Sequence, residues 1–415
     1  MKKQYFLFQL KRFFTNPKNI GLFALTFILS LYFGLVSVPN RQLIEKVDPY
    51  AINGEYRRYT LFLNKATTKI KEMQESKNTH EVPNEGYVNA IKTYPDILNF
   101  DKHRINGIKA NNWKEYVIYS SKWYKYVDHL IFVDENQQFL YPAQYYQNDN
   151  YREDGHFAYQ RTAHFYDALA KSKQPLTKNI VEEKTTLQIL QNSISGWTTL
   201  ILIIFVVLFA ADIVTNDCKY YSVLKDIPLS KNTILWIKTG VVEIGVLFNY
   251  LLAFIVVTLC TAPRYGFGSF MLRTTFYTGR LYFIQPFKYP TLGNYFIQFG
   301  TFAILIVFLF IRLTILLSII FKNEYVAELL ASVFAISGKV LYFSLGMGFV
   351  YPILQSLPMT YFTIGASLSG NLSYLMDSPG WGFNSGIGPL MLSIVIIEIF
   401  MLIISRSKRI KLIRR

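Results

Sequence analysis

Four ionisable side chains, Glu243, Arg312, Lys339 and Glu398, stand inside apolar stretches long enough to cross a membrane. A charge in hydrocarbon is costly, so each is a functional candidate until a partner accounts for it. At about 1.5 Å of rise per helical residue, Glu243, Arg312 and Glu398 lie roughly 10 to 15 Å from the inner ends of their helices, and Lys339 roughly 20 Å. Similar depth allows Arg312 to bridge to Glu243 or Glu398, a structural use of the charges rather than a substrate path. Glu328 and Lys339, eleven residues apart, fall on nearly one helical face, which predicts that their span turns it toward protein or water.

Catalytic chemistry is not encoded in a comparable way. The five histidines, His80, His103, His129, His156 and His164, share one polar region, and none stands in an HExxH or similar metal-ligand spacing. His156 and His164 with Asp154 and Asp167 come nearest to a ligand set, at spacings too wide to be a recognisable pattern. A nucleophile elbow and a glycine-rich phosphate loop are both missing from the sequence. The expectation is a chain without catalysis, metal or cofactor of its own.

The elements that must position the four charges are membrane helices. Hydrophobic residues make up 51% of the chain, and several windows hold the roughly 20 apolar residues needed to cross a core of about 30 Å. Spans are expected near 20–38, 196–212, 234–262, 296–320, 325–350 and 389–405. The fold class is thus an α-helical polytopic membrane protein with six transmembrane helices and a mainly helical, α+β, extracellular domain at 39–195, between the first and second spans. The remaining layout is an interfacial helix at 1–19, the first span at 20–38, five spans within 196–405, outer loops at 263–295 and 351–388, and a basic tail at 406–415.

Lysine and arginine set the orientation, because short basic segments stay in the cytoplasm. Lys2, Lys3, Lys11, Arg12 and Lys18 at one end, and Arg406, Lys408, Arg409, Lys411, Arg414 and Arg415 at the other, put both termini inside. Lys219, Lys225, Lys231 and Lys238 place the segment after the second span on the same side. The basic residues of 263–295 are the main exception. A net charge of +16 then reads as topology and contact with anionic lipid, with no nucleic-acid partner. The run from Ile20 to Val38 is longer than a signal-peptide core and is followed by SVPN, a poor cleavage site, so it is an anchor. Before it, aromatic and basic residues alternate as in a helix lying in the membrane interface, and Asn16-Pro17 ends that helix.

Residues 213–233 are too few for a domain, yet membrane-length runs hold them at both ends. Pro228 ends a helix and Ser230 caps the next, giving a sharp turn at the bilayer surface. Lys231 stays wet with Lys219 and Lys225, while Tyr220, Tyr221, Val223 and Leu224 offer an apolar face for a groove on a soluble partner.

In the polar region, 54–76, 113–129 and 156–173 have helical spacing, 130–142 reads as a hairpin around Glu135-Asn136, and 181–196 continues into the second span as one helix. Its many rings, among them Tyr116, Tyr124, Tyr141, Tyr159 and Tyr166, suit core packing and the membrane interface better than a binding surface. Cys218 and Cys260 fall on opposite sides of the membrane and cannot pair.

With these features in place, the chain resembles the ABC-2 type permeases, the membrane subunits of type V ABC exporters. The resemblance covers the interfacial helix ending near FFTNPKN, six spans, the polar segment between spans two and three, and large external loops. Its most specific residues are Asp212, Val223, Leu224, Pro228, Leu229, Ser230 and Lys231; Asn216-Asp217 stands where the family carries Gly-Thr. The resemblance implies a bacterial plasma-membrane protein that pairs with a second permease copy or a paralogue and with two copies of an ABC ATPase, which would hold ATP and Mg²⁺. It implies a broad range of cargo, of which the external domain favours a peptide or amphipathic, lipid-like molecule. A membrane-anchored sensor or cell-surface scaffold is the competing expectation.

Overall fold

The computed structural model describes residues 1–41, 46–75, 83–145, 151–217, 228–279, 286–343, 352–376 and 378–406. Helix dominates, because long apolar runs satisfy their backbone polar groups internally only as helices. Among the described residues, five helices are long and apolar enough to cross a membrane: α2 (Pro17–Tyr32, extended by a π turn Phe33–Ser37), α9 (Thr198–Thr215), α10 (Lys231–Tyr265), α11 (Leu292–Phe321) and α15 (Phe383–Arg406). The expected span at 325–350 begins as α12 (Glu324–Ser337) and continues as a π turn over Gly338–Phe343. Residues 344–351 lie outside the described residues, and this element is not among the five.

Helices α9 and α11 form the centre of the bundle, carrying Val206, Val207, Phe209, Phe310 and Ile311 fully buried. Around them, α2, α10 and α15 leave broad apolar faces open, including Ile28, Leu251, Leu392 and Ile403. Such exposure suits contact with hydrocarbon rather than water. Close approach between α2 and α10 depends on Gly34, where a Cβ would come within 2.6 Å of Cys260 Cβ.

The N-terminal helix α1 (Lys2–Thr15) ends where Asn16 turns extended (φ −69°, ψ 122°) and Pro17 opens α2. Asn16 Oδ1 accepts a hydrogen bond from Lys18 N at 3.1 Å, so the residue that breaks one helix caps the next. Tyr5, Gln9 and Phe13 form a buried stripe at four-residue spacing. Phe13 fills the surface left by Gly245 of α10, where any Cβ would overlap its ring.

Between α2 and α9 lies a helical domain. Helices α3 (Pro49–Glu75), α4 (Glu85–Lys109), α5 (Trp113–Phe132) and α6 (Tyr151–Ala170) pack in sequence around Ile97, Val117, Leu130 and Ala163. Tyr116, Tyr124, Tyr141, Tyr159 and Tyr166 are all buried there, as core packing requires. No strand forms at 130–142: α5 runs on to Phe132, and Asn136 N donates to Leu130 O at 2.9 Å to close a turn with Glu135 at φ 50°. The strands described are instead β1 (Phe276–Tyr277) and β2 (Phe287–Lys288), an antiparallel pair in the loop between α10 and α11.

The approach to α9 is not one helix either. It comprises α7 (Lys178–Val181), α8 (Thr186–Ile194) and a turn over 195–197. Amides of Thr186 and Leu187 donate to the carbonyls of Gly266 and Phe267, which fix the start of α8. Gly365 of α13 (Ile364–Ser369) then packs directly on the Ser195 backbone, so two neighbours set the bend. Helix α14 (Asn371–Leu375) follows α13, with Gly370 between them at φ 80° against Tyr277. These short helices and turns cap the bundle at the end carrying the helical domain.

Candidate functional site

Two charged centres lie in or beside the bundle. The first is built on Arg312 of α11. Its Nη2 donates to Glu398 Oε2 of α15 at 2.6 Å, its Nε donates to Glu398 Oε1, and its Nη1 donates to Thr239 Oγ1 of α10 at 3.1 Å. The guanidinium lies 4.7 Å from the Trp236 ring centroid. A two-point fork onto carboxylate, capped by an aromatic face, uses the geometry of arginine fully. It ties three helices together. Glu398 is therefore the partner, while Glu243, one turn beyond Thr239, is half-buried and bonded to no other described residue. Lys339 stands 5.0 Å over the Trp197 ring, and Glu328 is 3.8 Å from Lys18. The face shared by Glu328 and Lys339 accordingly meets protein.

The second centre surrounds the end of α9, where 213–233 begins. Lys238 of α10, 1% exposed, pairs with Asp217 Oδ2 at 2.6 Å and also donates to Ile213 O. Arg12 Nη1 of α1 donates to Asp217 Oδ1 at 2.9 Å. One carboxylate thus joins α1, the end of α9 and α10. A full turn away, Asp212 pairs with Lys18 at 2.8 Å and accepts hydrogen bonds from Asn16 Nδ2 at 2.8 Å and Asn216 Nδ2 at 2.6 Å. Lys18 also donates to Leu208 O at 2.6 Å, and Thr215 Oγ1 donates to Glu324 Oε2 at 2.8 Å, which brings in α12.

Why the chain folds this way is partly local. Asp212 lies in the last turn of α9 and Asp217 just past its end, and Arg12 of α1 and Lys18 of α2 reach them there. Buried carboxylates persist only when paired and hydrogen-bonded. Every donor named above serves that need.

Of the coupling residues expected from sequence, Tyr220, Tyr221, Val223 and Leu224 lie outside the described residues. On their far side, Ser230 caps α10, its Oγ accepting from Thr233 N at 3.2 Å, and Pro228 and Lys231 lead into it. Asp217 precedes residues 218–227, and the capped start of α10 follows them. Lys238 closes the loop by reaching from α10 back to Asp217. Sequence reading missed the Asp217–Lys238–Arg12 cluster. The signal available was a lone lysine eight residues inside a span, with an acid at the preceding span's end.

Among the described residues no three His, Cys, Asp or Glu side chains are grouped to hold a metal. His156 bonds Asp128 at 2.9 Å and stacks on Phe132, and His103 bonds Glu115 at 2.8 Å and stacks on Tyr119. His164 Nδ1 lies 2.6 Å from Tyr289 OH, joining α6 to the loop after β2. Burial pushes the Tyr289 phenol up to about 12, helped by Asp167, so the phenol keeps its proton and donates. Burial, with Lys125 nearby, lowers His164 to about 4.

Comparison with protein-family models, with curated proteins and with solved structures finds no match in any of the three.

Proposed function

We propose that this chain is the membrane-spanning permease subunit of an ATP-driven exporter, with both termini in the cytoplasm, six spans, and ATP hydrolysis in a separate chain. The observation that carries the reading is the pair of fixed ends that flank 218–227, the Asp217 cluster and the Ser230 cap. A short segment between two membrane helices is secured at its start by a buried carboxylate shared among α1, α9 and α10, and at its end by a capped helix. A push on such a segment moves three helices together. A loop that merely joined two spans would have no use for paired charges buried at its base, which cost desolvation energy to maintain. The cargo in this reading is a peptide or an amphipathic, lipid-like molecule, and a second permease copy completes the path.

The test is purification from native membranes with the ATPase that accompanies the chain. The complex should hydrolyse ATP, the isolated chain should not, and Leu224→Asp should lower both association and transport while membrane insertion stays normal. A complex that forms and exports normally with Leu224→Asp would move the contact elsewhere. Recovery with a histidine kinase and no ATPase would favour the sensor reading.

A further inference from the structure

We infer that the core of the helical domain binds one water molecule between α4 and α5, held by Asp101 and Arg104 from one helix and by Ser120 and Trp123 from the other. Each of the four has a buried polar atom that bonds to no other described residue: Asp101 Oδ2, Arg104 Nε, Ser120 Oγ and Trp123 Nε1. Nearly all buried polar groups in folded proteins have a partner, from the chain or from ordered water. Four lacking one in the same place point to a shared ligand.

Contacts along the hairpin bring the four together. Gly107 lies against Tyr116, where a Cβ would come within 2.9 Å of the Tyr116 amide nitrogen. His103 stacks on Tyr119 with centroids 3.9 Å apart, and Phe100 meets the Tyr126 ring at 5.8 Å. This antiparallel register sets 101–104 opposite 119–123. Ser120 comes four residues after Tyr116 and three before Trp123, on one face of α5. The Arg104 guanidinium spans that face, 5.9 Å from the Tyr116 ring centroid and 4.9 Å from that of Trp123, while its Nη1 donates to Asp101 Oδ1 at 2.9 Å.

The chemistry of the four atoms selects the ligand. Arg104 Nε and Trp123 Nε1 can only donate, Asp101 Oδ2 as a carboxylate can only accept, and the Ser120 hydroxyl does either. A cation would meet the two N–H donors, and an anion would meet the Asp101 oxygen. Water offers both: it accepts from the two nitrogens and donates to the two oxygens, so one molecule completes all four. Asp101 and Ser120 are fully buried, which leaves room for nothing large. Burial pushes the Asp101 carboxyl up to about 6 against the pull of Arg104, so a donor to its second oxygen helps to keep it in the charged form that pairs with the guanidinium. The inference is independent of the export reading, because it requires neither ATP nor a second protein.

Cryo-electron microscopy of the full chain in lipid nanodiscs, at a resolution that shows ordered water, tests it. One peak should stand roughly 2.7 to 3.2 Å from all four atoms. Trp123→Phe keeps a ring and removes one donor; it should abolish the peak and speed amide hydrogen exchange in α4 and α5 about fivefold, as loss of one hydrogen bond implies, with exchange in α1 unchanged. Ser120→Ala, which removes an acceptor with little change of shape, should do the same and serves if Trp123→Phe does not fold. Side chains that turn to bond one another with no peak between them would overturn the inference. So would a peak at the shorter distances of a coordinated metal ion, or one that persists unchanged in the variants.

Discussion

His164 shows how one side chain couples two parts of the molecule. Its ring joins α6 to Tyr289, and around it stand Lys125 of α5, Asp167 on its own helix, and Lys171 over the Tyr289 ring. Its folded-state pKa is lowered to about 4 from an ordinary 6.5. The contribution is fully present above pH 6.5 and is lost as pH falls toward 4, where the fold must accept an imidazolium that the unfolded chain accepts more readily. Pure linkage puts the loss at about 3 kcal/mol. Thermal melts of the full chain in detergent between pH 7 and 4 should show this slope, and His164→Gln should flatten it; an identical slope in the variant assigns the pH dependence to other groups. Arg312 makes the complementary case inside the bundle. Removing it with Arg312→Ala leaves Glu398 without its fork and should cost about 3 to 5 kcal/mol. Arg312→Leu combined with Glu398→Leu should recover much of that in a double-mutant cycle; additive losses would show that the two do not act as a pair.

At the scale of elements, α1 is a clasp. One side is held by packing, with Phe13 filling the hollow at Gly245, and the other by charge, with Arg12 on Asp217. The two contacts are independent enough to separate. Gly245→Leu should expel Phe13 and release α1 while Lys238 keeps its hold on Asp217. Hydrogen exchange of amides in 2–15 should accelerate by about tenfold or more, corresponding to loss of about 1.4 kcal/mol of local stability. Unchanged exchange would mean that Arg12 and the Asn16 hinge suffice to hold the helix. Because α1, α9 and α10 share Asp217, the same variant should also weaken ATPase stimulation if 218–227 is the coupling element.

For the whole molecule, the bundle and the helical domain meet at one end, and α1 with the Asp217 cluster lies at the other. In the proposed topology the cluster is cytoplasmic and the domain lies outside. A cysteine at exposed Lys65 of α3, in a chain lacking Cys218 and Cys260, should react with an impermeant maleimide in intact cells. A cysteine replacing Lys3 should react only after permeabilisation. The reverse pattern would invert the topology, and labelling of both in intact cells would put an even number of spans, or none, between α1 and α3.

What sequence alone determined is what depends on local composition. Five of the expected spans coincide with helices within a few residues, because an apolar run of membrane length has one satisfactory backbone conformation. The break at Asn16-Pro17 and the Ser230 cap were equally legible, since proline and hydroxyl side chains act on their own neighbours. Tertiary structure decided the rest. Arg312 could reach two carboxylates by depth, and only the rotation and crossing of α10, α11 and α15 selected Glu398. Residues 181–196 have the composition of a continuous helix, yet carbonyls from 266–267 and the backbone contact of Gly365 bend them. Lys238 reads only as one of the basic residues that mark a side of the membrane until Asp217, just past α9, is delivered to it. Partner choice among like charges and the bending of a helix depend on distances between segments far apart in the chain, and those exist only once the helices have packed.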